Sequence, residues 1–274
     1  HFLEAEHEGD VTAIHASPDG LKLLVGTSSG TIGVLDLPTL KHATVVRSHD
    51  DTVNGLALDP HNREFATASS DGSIRVWELD GNQAQLIEFE MPQGCAHAVV
   101  YHPTEYVLAC GFEDGAVRVF DLASTSLLEE YAQHPGASVV DLAYSHAADK
   151  LYSAGTDGAV YAYDVLHAYQ PCRSYQRAGG AAGAPAAPCL ALTKDDATLV
   201  VGSLQPLALL VLDGATLQLT HSVPLACDVR ALVIGAARTV FMATADGAIL
   251  SMGLDAVAGR AGARVRAAVH CAVR

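Results

Sequence analysis

Residues Ser48–Glu78 read SHDDTVNGLALDPHNREFATASSDGSIRVWE, and this stretch decides the fold. A Ser-His pair opens it, followed by an apolar run from Val53 to Leu58. The Asp-Pro-His-Asn segment at 59–62 is a turn, and a second run covers Glu64–Ser69. Ser70-Asp71-Gly72 is a second turn, and a third run ends at Trp77-Glu78. Short runs bounded by turn residues predict three adjacent antiparallel strands.

The rest of the chain varies this unit. Aligned on Trp77-Glu78 are Leu35-Asp36, Phe120-Asp121, Tyr163-Asp164, Leu212-Asp213 and Met252-Gly253. The spacings are 42, 43, 43, 49 and 40 residues, close to the ~40–45 residues of a propeller blade. Four units carry an Asp-Gly turn, at 71–72, 114–115, 157–158 and 246–247. The first has Ser29-Gly30 there and the fifth Pro206-Leu207. Gly accepts positive φ and Asp bonds its own turn backbone, so the pair suits a tight hairpin. The runs SIRVW, AVRVF, AVYAY and AILSM follow these turns, with the near-continuous apolar character of strands buried on both faces. The order His, turn, small polar strand, Asp-Gly, Trp is that of a WD repeat. The fold class is therefore all-β: a WD-repeat β-propeller with six recognisable blade repeats, part of a seven-bladed or tandem propeller.

The repeats fall at about 7–48, 49–91, 92–133, 134–176, 188–226 and 227–269. Phe2–Glu6 precedes His7 as Thr44–Ser48 precedes His49, so 1–6 reads as the outer strand of a preceding blade. Arg264–Val269 reads as the sixth outer strand, and His270, opening 270–274, as the start of another unit. Because the chain begins with His1 rather than Met, it reads as an internal piece of a longer protein, with targeting signals outside it.

Composition limits the function. With 31 acidic and 16 basic side chains the net charge is −15, which disfavours nucleic acid and anionic membranes as partners. The apolar stretch Ala197–Leu212 is broken by Gly202, Gln205 and Pro206, too interrupted to span a bilayer. Cysteines 95, 110, 172, 189, 227 and 271 form no Cys-x-x-Cys pair and read as reduced, mostly buried thiols of a cytosolic protein. No metal or cofactor is expected: the 13 histidines are scattered, several of them at repeat-register positions. His97, His102, His146 and His221 read as strand-end or turn residues. The phosphate-loop, His-Glu-x-x-His, Gly-x-Ser-x-Gly and EF-hand patterns are absent from the sequence. Glu129-Glu130 and Asp195-Asp196 read as solvated turn acids rather than catalytic pairs.

Two groups of residues stand out. His49, Thr67 (or Ser69, on the same strand face), Asp71 and Trp77 fall where a blade links His, Ser/Thr, Asp and Trp by hydrogen bonds. A structural network is the expectation, since no exposed nucleophile is presented. The fourth unit repeats it weakly through His134, Ser153, Asp157 and Tyr163, while Pro92 interrupts it in the third. The second group is Tyr169, Arg173, Tyr175 and Arg177, in a stretch without an acid between the fourth and fifth units. Arg forks and Tyr rings suit an acidic partner surface, so the loop Ala168–Arg177 is a candidate docking element, and the plain alternative is a tolerated insertion. The Ala/Gly/Pro-rich 177–187 behind it reads as a flexible linker.

Several stretches resemble one family, the large centriolar WD-repeat proteins typified by WD repeat-containing protein 90. They are GTIGVLD (30–36), RSHDDTV (47–53), YHPTEYVLACGFEDGAVRVFDL (101–122) and APCLALTKDDATLVV (187–201). The resemblance implies a non-enzymatic scaffold module in the cytoskeleton, at the centriole, basal body or cilium. Its implied partners are other proteins of the inner scaffold, with tubulin engaged through a microtubule-binding domain outside this stretch. The competing reading is a peptide-recognition adaptor, such as a ubiquitin-ligase substrate receptor or a signalling scaffold, which should show a basic or aromatic cluster over the central channel.

Overall fold

The computed structural model describes residues 9–17, 19–45, 48–91, 94–176, 189–204, 207–235, 238–254 and 266–270. Six four-stranded sheets follow one another, each with the plain order first-second-third-fourth strand. Sheet one holds β1 Val11–Ala16, β2 Lys22–Thr27, β3 Ile32–Asp36 and β4 Lys41–Val45. Sheet two holds β5 Val53–Leu58, β6 Glu64–Ser69, β7 Ser73–Glu78 and β8 Gln85–Glu90. Sheet three is β9 Ala96–Tyr101, β10 Val107–Phe112, β11 Ala116–Asp121 and β12 Ser126–Ala132. Sheet four is β13 Val139–Tyr144, β14 Lys150–Gly155, β15 Val160–Asp164 and β16 Gln170–Tyr175. Sheet five is β17 Cys189–Leu192, β18 Thr198–Leu204, β19 Leu207–Asp213 and β20 Leu219–Pro224. Sheet six is β21 Val229–Gly235, β22 Thr239–Thr244, β23 Ala248–Gly253 and β24 Arg266–His270. Each sheet has the meander of a propeller blade.

The turn chemistry recurs from sheet to sheet. Five hairpins close with a glycine N–H donating to the carbonyl three residues back: Gly30 to Thr27, Gly72 to Ser69, Gly115 to Phe112, Gly158 to Gly155 and Gly247 to Thr244. The preceding Asp then accepts from the amide two residues on: Ser73 at 2.8 Å, Ala116 and Ala159 at 3.0 Å and Ala248 at 3.4 Å. This satisfies turn donors that no strand partner reaches. At Gly115 φ is 82°, and a Cβ there would collide with the His134 carbonyl oxygen, so only glycine fits without strain.

The chain forms two compact units, His1–Leu142 and Ala143–Arg274, with the boundary inside β13. Alternation along each strand sends successive side chains to opposite faces. In the first unit, Leu24, Ile32 and Val34 of sheet one pack with Phe65 and Trp77 of sheet two. The other face of sheet two, Ala66, Ala68, Ile74 and Val76, packs with Val99, Tyr101, Leu108 and Phe120 of sheet three. In the second unit, Tyr152, Ala154, Val160 and Ala162 of sheet four meet Leu190, Leu199, Leu210 and Leu212 of sheet five. Val200, Leu209 and Val211 then meet Val229, Val240, Met242 and Met252 of sheet six.

The segment expected to be a docking loop is a strand. After a 3-10 turn, Val165–His167, and two left-handed residues, Ala168 (φ 53°) and Tyr169 (φ 55°), the chain runs as β16 along the edge of sheet four. It pairs with β15 from Asp164↔Gln170 to Val160↔Tyr175. Cys172 and Tyr175 pack against the sheet-four/sheet-five core, which is why a polar-looking segment is held as a strand rather than looped out. β24 ends one residue beyond its expected span, with His270 paired to Ala248 inside sheet six. Residues 1–6, 177–187 and 271–274, with the calls made on them, lie outside the described residues.

Candidate functional site

The polar group of sheet two is assembled by three adjacent strands. His49 lies just before β5, Thr67 is midway along β6, Asp71 is in the β6–β7 turn and Trp77 is near the end of β7. His49 Nδ1 lies 2.9 Å from Asp71 Oδ2, and His49 Nε2 lies 2.6 Å from Thr67 Oγ1. Trp77 Nε1 donates to Thr67 Oγ1 at 3.0 Å. A neutral imidazole with its proton on Nδ1 satisfies every link: Trp N–H to Thr oxygen, Thr O–H to Nε2, and Nδ1–H to the carboxylate. Phe65 stacks on Trp77 with ring centroids 6.3 Å apart and His49 and Thr67 are buried, so the chain of bonds sits between apolar layers.

The electrostatics agree with a neutral ring. Burial pushes the His49 pKa down, and the Asp71 charge opposes it without reversing the direction. Burial alone would raise Asp71, but the Ser73 hydroxyl and amide, His49 and the Asp50 amide hold it down at about 2. Two residues of this site carried no signal in the repeat pattern. Ser73 Oγ donates to Asp71 Oδ1 at 2.7 Å and lies 3.0 Å from His49 Nδ1. Arg75 donates from Nη1 to the Ser48 carbonyl and from Nε to Glu88 Oε1 at 2.7 Å. Ser69, the alternative to Thr67, is engaged elsewhere: its hydroxyl donates to the Asp51 carbonyl at 3.2 Å and accepts from the Asp71 amide at 3.1 Å. Thr67 is fully buried, so its hydroxyl is closed to any substrate.

In sheet four, Ser153 Oγ and Tyr163 OH are 3.2 Å apart, Asp157 Oδ1 takes the Ala159 amide, and His134 is buried. Pro92 lies outside the described residues. The described members of the proposed docking group differ in exposure. Tyr169 is buried and its hydroxyl lies 3.0 Å from that of Tyr144. Tyr175 is partly buried. Arg173 is exposed and donates to the Cys172 carbonyl at 2.7 Å. Arg177 lies outside the described residues.

Another set of contacts ties neighbouring sheets together within each unit through the turns between first and second strands. Asn62 donates to Asp19 Oδ2 at 3.0 Å, and Tyr106 donates to Glu64 Oε2 at 2.7 Å. Asp196 accepts from the His146 and Ala147 amides, each at 2.8 Å, and lies 2.9 Å from His146 Nδ1. Arg238 bonds Asp195 and Thr198 at 2.9 Å each. Thus His146 and Asp195-Asp196, read from sequence as turn residues, act as inter-sheet ties. Cys110 and Cys189 are buried and Cys95, Cys172 and Cys227 partly so. Among the described residues no group of His, Cys, Asp and Glu could hold a metal ion, and no helix is long and apolar enough to cross a membrane.

The profile of the family described as WDR90/POC16, second β-propeller, matches residues 57–252. The chain belongs to this family. A WD domain, G-beta repeat, also matches residues 2–36. Among curated relatives, WD repeat-containing protein 90 of Xenopus tropicalis is 41% identical over 169 residues, 62% of this chain. Centriole proteome protein 16 of Chlamydomonas reinhardtii is 46% identical over 180 residues, 65% of this chain. The chain spans only 9% and 8% of those two proteins. Among solved structures, the β-propeller domain of Myceliophteria thermophila Cps50 (Swd1) superposes with a TM-score of 0.76 at 16% identity. The match covers 97% of this chain and 88% of that one. The architecture is thus an all-β WD-repeat propeller of six blades.

Proposed function

We propose that the chain is a non-enzymatic interaction module of a structural scaffold in centriole, basal-body or ciliary microtubule assembly. The observation that carries this reading is its 46% identity to a protein named for the centriole proteome, within the WDR90/POC16 propeller family. The chemistry of sheet two is consistent with it, because the His–Thr–Asp–Trp chain is consumed in holding three strands together. In this reading the partners are other scaffold proteins, met through blade edges and turns. Tubulin, itself acidic, is engaged by other regions of the polypeptide, since a net charge of −15 repels it. The same net charge disfavours nucleic acid and anionic membrane as partners. The test is the position of the full-length protein, tagged at its own locus, relative to centriole and axoneme markers. Signal along the centriole or basal-body wall supports the scaffold reading. A diffuse protein recovered with ubiquitin-ligase subunits would replace it with the peptide-recognition reading.

A further inference from the structure

Among the described strands, each sheet ends on an outer strand with one bonded neighbour: β4, β8, β12, β16, β20 and β24. The other edge of such a strand offers N–H and C=O groups to any further strand, and proteins guard it with Pro, Lys or other charge. β4 opens with Lys41 and β24 with Arg266, β16 holds Pro171 and Arg173, and β20 ends in Pro224. β8 and β12 carry no Pro, Lys or Arg. At seven residues, Ser126–Ala132, β12 is the longest of the six. A bulge falls at the same place in the outer strands of sheets two to five. The two residues there are Gln85-Leu86, Leu127-Leu128, Pro171-Cys172 and Leu219-Thr220. Only in β12 are both apolar and exposed, Leu127 at 44% and Leu128 at 45%. Beyond the bulge, Glu129–Ala132 pairs in regular register with Ala116–Val119, so a straight ladder follows the two leucines.

Charge selects the occupant. Between residues 76 and 149 the sequence holds twelve acids and one Lys or Arg, Arg118. Arg118 is shared between Asp114 Oδ2 at 2.6 Å and Glu130 Oε1 at 2.8 Å. Glu129 Oε2 accepts from the Tyr131 hydroxyl at 3.3 Å, so one cation among three carboxylates leaves this edge negative. We propose that the outer edge of β12 is a strand-addition site for an extended segment of a partner protein that carries Lys or Arg beside aliphatic residues. The main chain of that segment extends sheet three, its aliphatic side chains cover Leu127 and Leu128, and its cations meet Glu129 and Glu130. A second copy of this chain is the poorer occupant, because antiparallel pairing of β12 with itself sets the Glu129-Glu130 pair of one strand against that of the other. The proposal deepens the scaffold reading and rests on it for the occupant being another protein.

The experiment uses the full-length polypeptide and a fluorescent peptide of alternating Val and Lys. One control peptide has Glu for every Lys; the other is N-methylated throughout, which keeps the charge and removes every main-chain donor. Binding is read by anisotropy, and benzoylphenylalanine in place of Leu127 or, separately, of Leu86 is photo-cross-linked to the bound peptide. The proposal expects saturable binding of the Val/Lys peptide, with each control at least about tenfold weaker. It expects a cross-link from position 127 that position 86 does not give. Leu127→Lys combined with Leu128→Lys, at two exposed positions, should weaken binding at least about tenfold while thermal stability holds. The absence of saturable binding overturns the proposal, as does an N-methylated peptide that binds as well as its parent, or equal cross-linking from positions 86 and 127. The location of the full-length protein is scored separately. Signal along the centriole wall without peptide binding removes the edge site and leaves the scaffold reading. A diffuse protein that binds and cross-links as expected keeps the edge site and removes that reading.

Discussion

Thr67 is the position at which the account of the polar network is most exposed to test. Its hydroxyl is the joint between His49 Nε2, 2.6 Å away, and Trp77 Nε1, 3.0 Å away. Thr67→Val keeps the side-chain outline and removes the joint, stranding one buried acceptor and one buried donor. Each costs about 1–3 kcal/mol when left unpaired, so the expected loss is about 2–6 kcal/mol. Thr67→Ser keeps the hydroxyl and loses one methyl, at about 1 kcal/mol. Urea unfolding followed by tryptophan fluorescence suits the question, because Trp77 is the only tryptophan in the chain and reports from the site itself. A double-mutant cycle with Trp77→Phe, followed by circular dichroism because that variant carries no tryptophan, should return a coupling of about 0.5–3 kcal/mol. A Thr67→Val variant within about 0.5 kcal/mol of wild type would refute the reasoning, as would a Thr67→Ser variant less stable than Thr67→Val.

Stability should also depend on pH through His49. Its folded pKa lies below the ordinary 6.5, so the unfolded chain takes up the proton first and stability falls as pH drops below 6.5; His49→Gln should flatten that slope in urea titrations. Asp71, held down at about 2 against an ordinary 3.8, adds stability above 3.8 that is lost as pH falls from there toward 2. Two glycines with similar φ, 82° at Gly115 and 74° at Gly158, separate strain from collision. Gly158→Ala, with open space around its Cβ, should cost about 1–2 kcal/mol, and Gly115→Ala, which meets the His134 carbonyl, clearly more in the same denaturation assay. Tyr169→Phe should cost about 0.5–1.5 kcal/mol by removing the hydroxyl pair with Tyr144, whereas Arg173→Glu on the exposed edge should change thermal stability by less than about 0.5 kcal/mol.

The blades were legible in the sequence because their signals are local. An Asp-Gly turn and the apolar run behind it fall within one hairpin, and repetition at 40–49 residues makes the period visible. The His49–Thr67–Asp71–Trp77 set was legible for the same reason, since each member keeps a fixed offset from the turn. The segment Gln170–Tyr175 was misread as a loop because an outer strand buries little and carries no strong strand pattern. Its Pro171, Arg173 and Ser174 look like loop composition, and only the packing of Cys172 and Tyr175 on the neighbouring core reveals the strand. Ser73 and Arg75 were missed because their roles depend on which strand face they take. The ties from Asp19 to Asn62 and from Glu64 to Tyr106 join residues 43 and 42 positions apart, a spacing near the repeat length that could have marked them.

The central claim, that this propeller is an assembling part of a centriolar or ciliary scaffold, is tested most directly by removing it. The full-length protein with residues 9–254 excised is expressed from its own locus in place of wild type, and its incorporation into centrioles and the fraction of ciliated cells are measured. Incorporation is expected to fall, and ciliation with it. Normal incorporation and normal ciliation without this propeller would contradict it.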